Sequence, residues 1–139
     1  MQRIVWAGLA SAVLVAAVLV VLFAVPFPQS HTANITLPDP AELSASICGE
    51  AIQTQYFPSW FAGGGSVRWA AGGPVELWVN ESRSTNASET TIYHGEGTGG
   101  SGSISIANGY AYRFDARSCN PEPVYVNVTV SVTYGAPIL

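Results

Sequence analysis

The chain predicts a mainly β protein, an antiparallel, jelly-roll-like β-sandwich of about seven or eight short strands, preceded by one N-terminal transmembrane α-helix. Three observations predict it. Residues 4–25 form an uncharged apolar run. From about residue 48, apolar and polar residues alternate with period two, as half-buried strands require. Gly-rich and Pro-rich clusters punctuate those runs at short intervals. The 139 residues suffice for one ordinary domain. They divide into an anchor over 1–25, a Pro-rich stalk over 26–47 and an extracytoplasmic sandwich over 48–139.

The first element is the run Ile4 to Val25, IVWAGLASAVLVAAVLVVLFAV. As a helix it would rise roughly 33 Å, enough for a hydrocarbon core of about 30 Å. A cleaved signal has a shorter apolar region, about 7–15 residues, ending at a small-x-small site. Leu22 stands at the wrong place for cleavage after Ala24, and no Cys follows for a lipid. The run therefore reads as a retained signal-anchor. Arg3 precedes it and the next cation is Arg68, so the positive-inside rule puts the amino terminus in the cytoplasm. The expected location is the cell membrane, crossed once, with the C-terminal domain outside. A pilin-like surface subunit resembles this layout of helix and β-rich head. However, Ile4 follows Arg3 where a pilin processing site has Gly or Ala, and the helix has no Glu.

Pro26, Pro28, Pro38 and Pro40 then mark an extended stalk. Asp39-Pro40 suits the start of a short helical turn through Leu43. Ile52, Thr54 and Tyr56 alternate with Gln53 and Gln55, and Gly63-Gly64-Gly65 interrupts the pattern. Val67 and Trp69 alternate with Ser66 and Arg68, and Ala71-Gly72-Gly73-Pro74 reads as a turn. Val75, Leu77 and Val79 alternate with Glu76 and Trp78. A Ser/Thr/Asn-rich loop leads to Thr91–His94, and Gly95 to Gly102 reads as a second Gly-rich turn before Ser103–Ile106. Asn108-Gly109 is a strong tight-turn signal. Tyr110, Tyr112 and Phe114 alternate with Ala111, Arg113 and Asp115. Finally Val124, Val126, Val128, Val130 and Val132 face one way, and Tyr125, Asn127, Thr129, Ser131 and Thr133 the other. One apolar and one polar face per strand is what two packed sheets need.

Charged residues are only 10% of the chain and the net charge is −4. That lacks the basic footprint of a nucleic-acid binder, so no nucleic-acid partner is expected. Cys48 and Cys119 are the two cysteines, and an even count in an oxidising compartment predicts a disulfide between them. Its α-carbons should lie about 4.4–6.8 Å apart. Asn34, Asn80, Asn86 and Asn127 stand in Asn-x-Ser/Thr sequons, candidate glycosylation sites.

The sequence offers little catalytic chemistry. His94 and Glu96 share a strand face and could contribute two metal ligands, but a site needs three or four and no partner is indicated. No Gly-x-Ser-x-Gly elbow is present, and Gly99–Gly102 lacks the Lys of a phosphate loop. Glu50 and Asp115 have no spacing that argues an acid–base pair, and Arg113 beside Asp115 reads as a surface ion pair. No cofactor and no enzymatic activity are expected. Trp69 belongs to the core with Val67. Trp78 shares a face with Glu76 and should point outward, where with Arg68 nearby it suits a sugar or a protein partner. Trp60 belongs to the aromatic run Tyr56–Phe61, either capping the core or forming a contact patch.

Val67-Arg68-Trp69, Pro74–Val79, the Gly-rich loop, Gly109–Phe114 and the Val-rich last strand together resemble GOLD-like and other small jelly-roll ectodomains. The resemblance spans residues 67–134 and implies non-enzymatic binding. The expected function is thus a single-pass, non-catalytic ectodomain that binds a protein partner or organises a membrane or envelope complex. The alternatives are a carbohydrate-binding module using Trp78 and, third, a pilin-like subunit.

Overall fold

In a computed structural model of the protein, residues 2–37, 48–83 and 88–136 are described, with side chains from Gly8 onward. Helix α1 (Gln2–Ala24) is followed by β1 (Phe27–Thr36), β2 (Gly49–Tyr56), β3 (Gly63–Ser82), β4 (Thr90–Ile106), β5 (Ala111–Ser118) and β6 (Val126–Ala136). The chain forms two compact units, Met1–Gln29 with Tyr134–Leu139, and Ser30–Thr133.

In the first unit, no helix among the described residues is long and apolar enough to cross a membrane. The part of α1 with described side chains, residues 8–24, rises about 25 Å, short of a hydrocarbon core of about 30 Å. This overturns the transmembrane anchor, and with it the cell-membrane location and the cytoplasmic amino terminus. The extended conformation expected after residue 26 is present, but as β1, paired to β6. The Asp39-Pro40 turn lies outside the described residues.

In the second unit the described strands form one sheet in the order β1-β6-β3-β5-β2, with β4 against β3. β3 is 20 residues long and serves both halves. Gly64–Ala71 pairs with β6, and Glu76–Ser82 pairs with β5. β4 follows β3 through both halves, with a register slip between Ala70 and Val75. The segment Ala71-Gly72-Gly73-Pro74 is therefore a bulged corner inside one strand. Pro74 has no N–H for a ladder, so a bulge is where a strand tolerates it. The expected sandwich of separate sheets is corrected accordingly. One antiparallel sheet curls at this corner, and both halves contribute to a single core.

That core is the one the alternation indicates. Val67, Trp69, Val75, Leu77, Val79, Tyr112, Phe114 and Val124 to Val132 at even positions are all buried. Each such side chain contributes roughly 1.5–3 kcal/mol. β2 departs from expectation: Ala51 is buried, while Ile52, Thr54 and Tyr56 face solvent.

The Gly-rich stretches are strands because their glycines leave room. A Cβ on Gly65 would run into the Ser131 backbone, so Gly63–Gly65 is where β3 and β6 approach closely. In β4, a Cβ on Gly100 would come within 2.9 Å of Trp69 Nε1, and one on Gly102 within 2.6 Å of the Tyr93 ring. Trp69 Nε1 donates to Tyr93 Oη at 2.9 Å. The segment Gly95–Gly102 thus vacates space for two rings and stays paired with β3, where a turn was expected. The Asn108-Gly109 turn is present, with Gly109 at φ +79°. Cys48 and Cys119 form a disulfide with α-carbons 4.0 Å apart, slightly closer than expected. They continue the β2–β5 register one step past Gly49 and Ser118.

Candidate functional site

The outward face of the half-sheet β2-β5-β3-β4 gathers most of the charged and aromatic chemistry. Register sets three cross-strand rows. The first is Glu50, Arg117, Glu76 and Glu96. The second is Ile52, Asp115, Trp78 and His94. The third is Thr54, Arg113, Asn80 and Thr91.

Trp78 points outward as expected and is half-buried. Residues of the neighbouring strands cover it. The His94 ring lies against it at 4.8 Å with planes 16° apart, and the Arg117 guanidinium lies 4.8 Å from its ring centroid. β4 and β5 flank β3 on opposite sides, so the two residues occupy opposite faces of the indole. Arg68 is exposed on the other half-sheet, opposite Thr129 and Ser101, and is not brought to Trp78. Arg117 takes the place that sequence reasoning gave to Arg68.

Asp115 also points to this face, yet its side chain is only 2% exposed. The Arg113–Asp115 pair exists, but the carboxylate is not at the surface. Asp115 Oδ2 accepts from Arg113 Nη2 at 3.2 Å and from Arg117 Nη2 at 3.3 Å. Arg117 also donates to Glu50 at 3.0 Å, and Arg113 to Glu89 at 3.1 Å. Asp115 Oδ1 and Arg113 Nε are buried without a hydrogen-bond partner. Burial, and then the hydrogen bond with Glu50, push the Asp115 carboxyl above its ordinary value. The same hydrogen bond, with Arg117, pulls Glu50 below its own.

Glu76 stands opposite Glu96, and the ligand atoms of Glu76, His94 and Glu96 all lie within 4.8 Å of one another. A cleft of about 330 Å³ adjoins them, lined by Glu76, Glu96, Arg117 and Ser118 among others. The sequence pointed to His94 and Glu96; Glu76 was missed as a third ligand because only strand pairing brings it across.

β2, one edge of the sheet, pairs only with β5 among the described residues. Outward from it stand Ile52, 41% exposed, and Tyr56, 62% exposed. Phe57 then turns inward, stacking on Phe61 at 4.7 Å and meeting Tyr112 at 5.6 Å. Trp60 is 53% exposed and touches His31 and Phe61 edge-on at 4.6 and 5.8 Å. It is an exposed aromatic beside the core.

Three sequon asparagines lie in strands. Asn34 accepts from Thr129 at 3.0 Å, Asn127 from Thr36 at 3.1 Å and Asn80 from Thr91 at 2.7 Å. Asn86 lies outside the described residues.

No family model matches the chain. No curated protein matches it either. Among solved structures it is similar to the crystal structure of Yersinia pseudotuberculosis-derived mitogen, at 10% identity, over 78% of this chain and 87% of that one, with a TM-score of 0.41. That protein is β-rich, as this one is; the likeness carries no argument about function.

Proposed function

We propose that this chain is a non-catalytic binding domain that takes a protein partner along β2, adding an extended segment of the partner to the sheet. One observation carries this reading: among the described residues no strand pairs with the outer edge of β2. Natural edge strands are usually blunted by Lys, Pro, bulges or covering elements. β2 is Gly-Glu-Ala-Ile-Gln-Thr-Gln-Tyr, and its single charge, Glu50, is held by Arg117. Ile52 and Tyr56 lie exposed along this edge. An added strand would gain main-chain hydrogen bonds from the edge and specificity from these alternate side chains. Trp60 supplies an aromatic of the kind that anchors interfaces. The resemblance to small jelly-roll ectodomains agrees with a binding role. Sugar stacking on Trp78 is less favoured, because a sugar would have to displace His94 or Arg117 from the ring.

The test places a photo-crosslinking residue at Tyr56 in the full chain and, separately, at Thr32 on the other half-sheet. A partner captured from Tyr56 and not from Thr32 is expected. With that partner purified, Ile52→Lys should weaken binding at least about tenfold, or 1.4 kcal/mol. Equal capture from both positions, or unchanged affinity in Ile52→Lys, would defeat the proposal.

A further inference from the structure

We infer that Glu76, His94 and Glu96 form a site for a divalent first-row transition-metal ion, zinc being the form to test. His94 and Glu96 alternate on β4, so both point outward, and antiparallel pairing sets Glu76 directly across from Glu96. One imidazole nitrogen and two carboxylates converge within 4.8 Å. Zinc bonds these donors at about 2.0–2.2 Å, so tetrahedral ligands sit roughly 3.3–3.5 Å apart. Closing the remaining ångström or so needs only side-chain rotation, and all three residues are exposed.

Two further features separate this cluster from an ordinary acidic surface. Like charges directly opposite on neighbouring strands destabilise a sheet. Glu76 and Glu96 are such a pair, and among the described residues Glu76 has no ion pair with an Arg. Arg117 on its other side donates to Glu50 and Asp115 instead. His94 Nε2 lies 3.8 Å from Glu96. A bound dication would turn this repulsion into attraction. The second feature is His94, whose ring lies flat on Trp78. That contact limits ring rotation and so lowers the cost of ordering the ligand.

The donor set also fixes the class of ion. Imidazole suits zinc, copper, nickel and iron, whereas calcium and magnesium prefer oxygen-only shells. Three protein ligands leave a position for water on the side of the adjoining cleft. The site uses residues other than the β2 edge, so either inference can fail without the other.

The experiment is calorimetric titration of the full, untagged, oxidised chain with zinc chloride, and separately with calcium chloride. One equivalent of zinc and no calcium binding are expected. His94→Ala, Glu76→Gln and Glu96→Gln should each weaken zinc binding at least tenfold, while His31→Ala leaves it unchanged. Glu76→Gln should also raise the melting temperature of the metal-free protein, because it removes the opposed charge. Copper(II) should quench tryptophan fluorescence in the wild type, and quench it less in Trp78→Phe at equal occupancy. No zinc uptake, equal calcium binding, or zinc binding indifferent to His94→Ala and Glu76→Gln would overturn the inference.

Discussion

The two halves of the curled sheet share a core but carry opposite kinds of outer face. The half built from β1, β6, the first part of β3 and the last part of β4 is neutral apart from Arg68. Its β1–β6 rungs are Ser30–Thr133 and Thr32–Ser131 at 3.2 Å, Asn34–Thr129 at 3.0 Å and Thr36–Asn127 at 3.1 Å. The register continues these rungs to Ser66 and Arg68 on β3 and to Ser103 and Ser101 on β4. Short neutral side chains satisfy one another there. The other half carries Glu50, Glu76, His94, Glu96, Arg113, Asp115 and Arg117, and it leaves Asp115 Oδ1 and Arg113 Nε without partners. The comparison teaches where binding chemistry can reside. A face whose polar groups pair internally has little left to offer a ligand. A face with opposed carboxylates and an open edge retains unspent interactions.

The largest effect that should distinguish the halves comes from the disulfide, which fastens β2 to β5 on the charged side. Replacing both Cys48 and Cys119 by Ala should lower the melting temperature by about 10–20 °C, or 2–4 kcal/mol. Circular dichroism should still report a β fold. Hydrogen exchange should accelerate in β2 more than in β1, and equal acceleration in both would break the comparison.

Next in size is Asp115→Ala. It removes the carboxylate shared by Arg113 and Arg117, whose side chains are 34% and 50% exposed. Breaking a buried pair costs about 3–5 kcal/mol, and solvent access to both arginines should reduce that to about 1–3 kcal/mol in urea unfolding. Asp115→Asn, which keeps a hydrogen-bond acceptor, should cost less. Thr129→Val on the neutral face removes one exposed hydrogen bond and should cost about 0.5–1 kcal/mol. If Thr129→Val proved as costly as Asp115→Ala, the contrast between the faces would have no energetic content.

The smallest effect sharpens the comparison by pH. Asp115 has its carboxyl raised above 3.8, so the folded state binds that proton more readily than the unfolded chain. Its contribution to stability grows as pH falls through the raised value and is complete below 3.8. Glu50 is lowered from 4.5, so its contribution is present above 4.5 and fades as pH falls through the lowered value. The two slopes oppose each other. Urea unfolding from about pH 3 to 6 should therefore show a pH profile altered in shape in both Asp115→Asn and Glu50→Gln, because the hydrogen bond between the two groups contributes to both shifts. Thr129→Val should leave the wild-type pH profile unchanged in shape.

Much of the inner face was legible because alternation reports burial directly. The valines of β6, the Tyr112 and Phe114 pair in β5, and Val67 with Trp69 in β3 all bury as their spacing indicates. The Cys48–Cys119 bond was legible from the even cysteine count. The Gly-rich stretches were misread because glycine has two uses, to bend a chain and to admit a neighbouring ring; between Gly95 and Gly102 the strand continues, with Gly95, Gly100 and Gly102 making room for the Trp69 and Tyr93 rings and Gly97 taking a positive φ. β2 was misread because an edge strand does not have to bury its larger side chains. Ile52 and Tyr56 therefore face solvent despite their alternation.

The sequence by itself determined strand parity outside β2, most of the core and the residue types able to do chemistry. Those properties are local, since a side chain's face follows from its position along an extended backbone. The tertiary structure alone decided which residues meet. Pairing across β3 put Glu76 opposite Glu96 and closed His94 and Arg117 over Trp78. The same pairing sank Asp115 beneath Arg113 and Arg117 and carried Arg68 to the other half. The physical reason is that strand register is a long-range choice, made by the whole buried face at once. A bulge at Ala71–Pro74 resets it for every polar residue downstream.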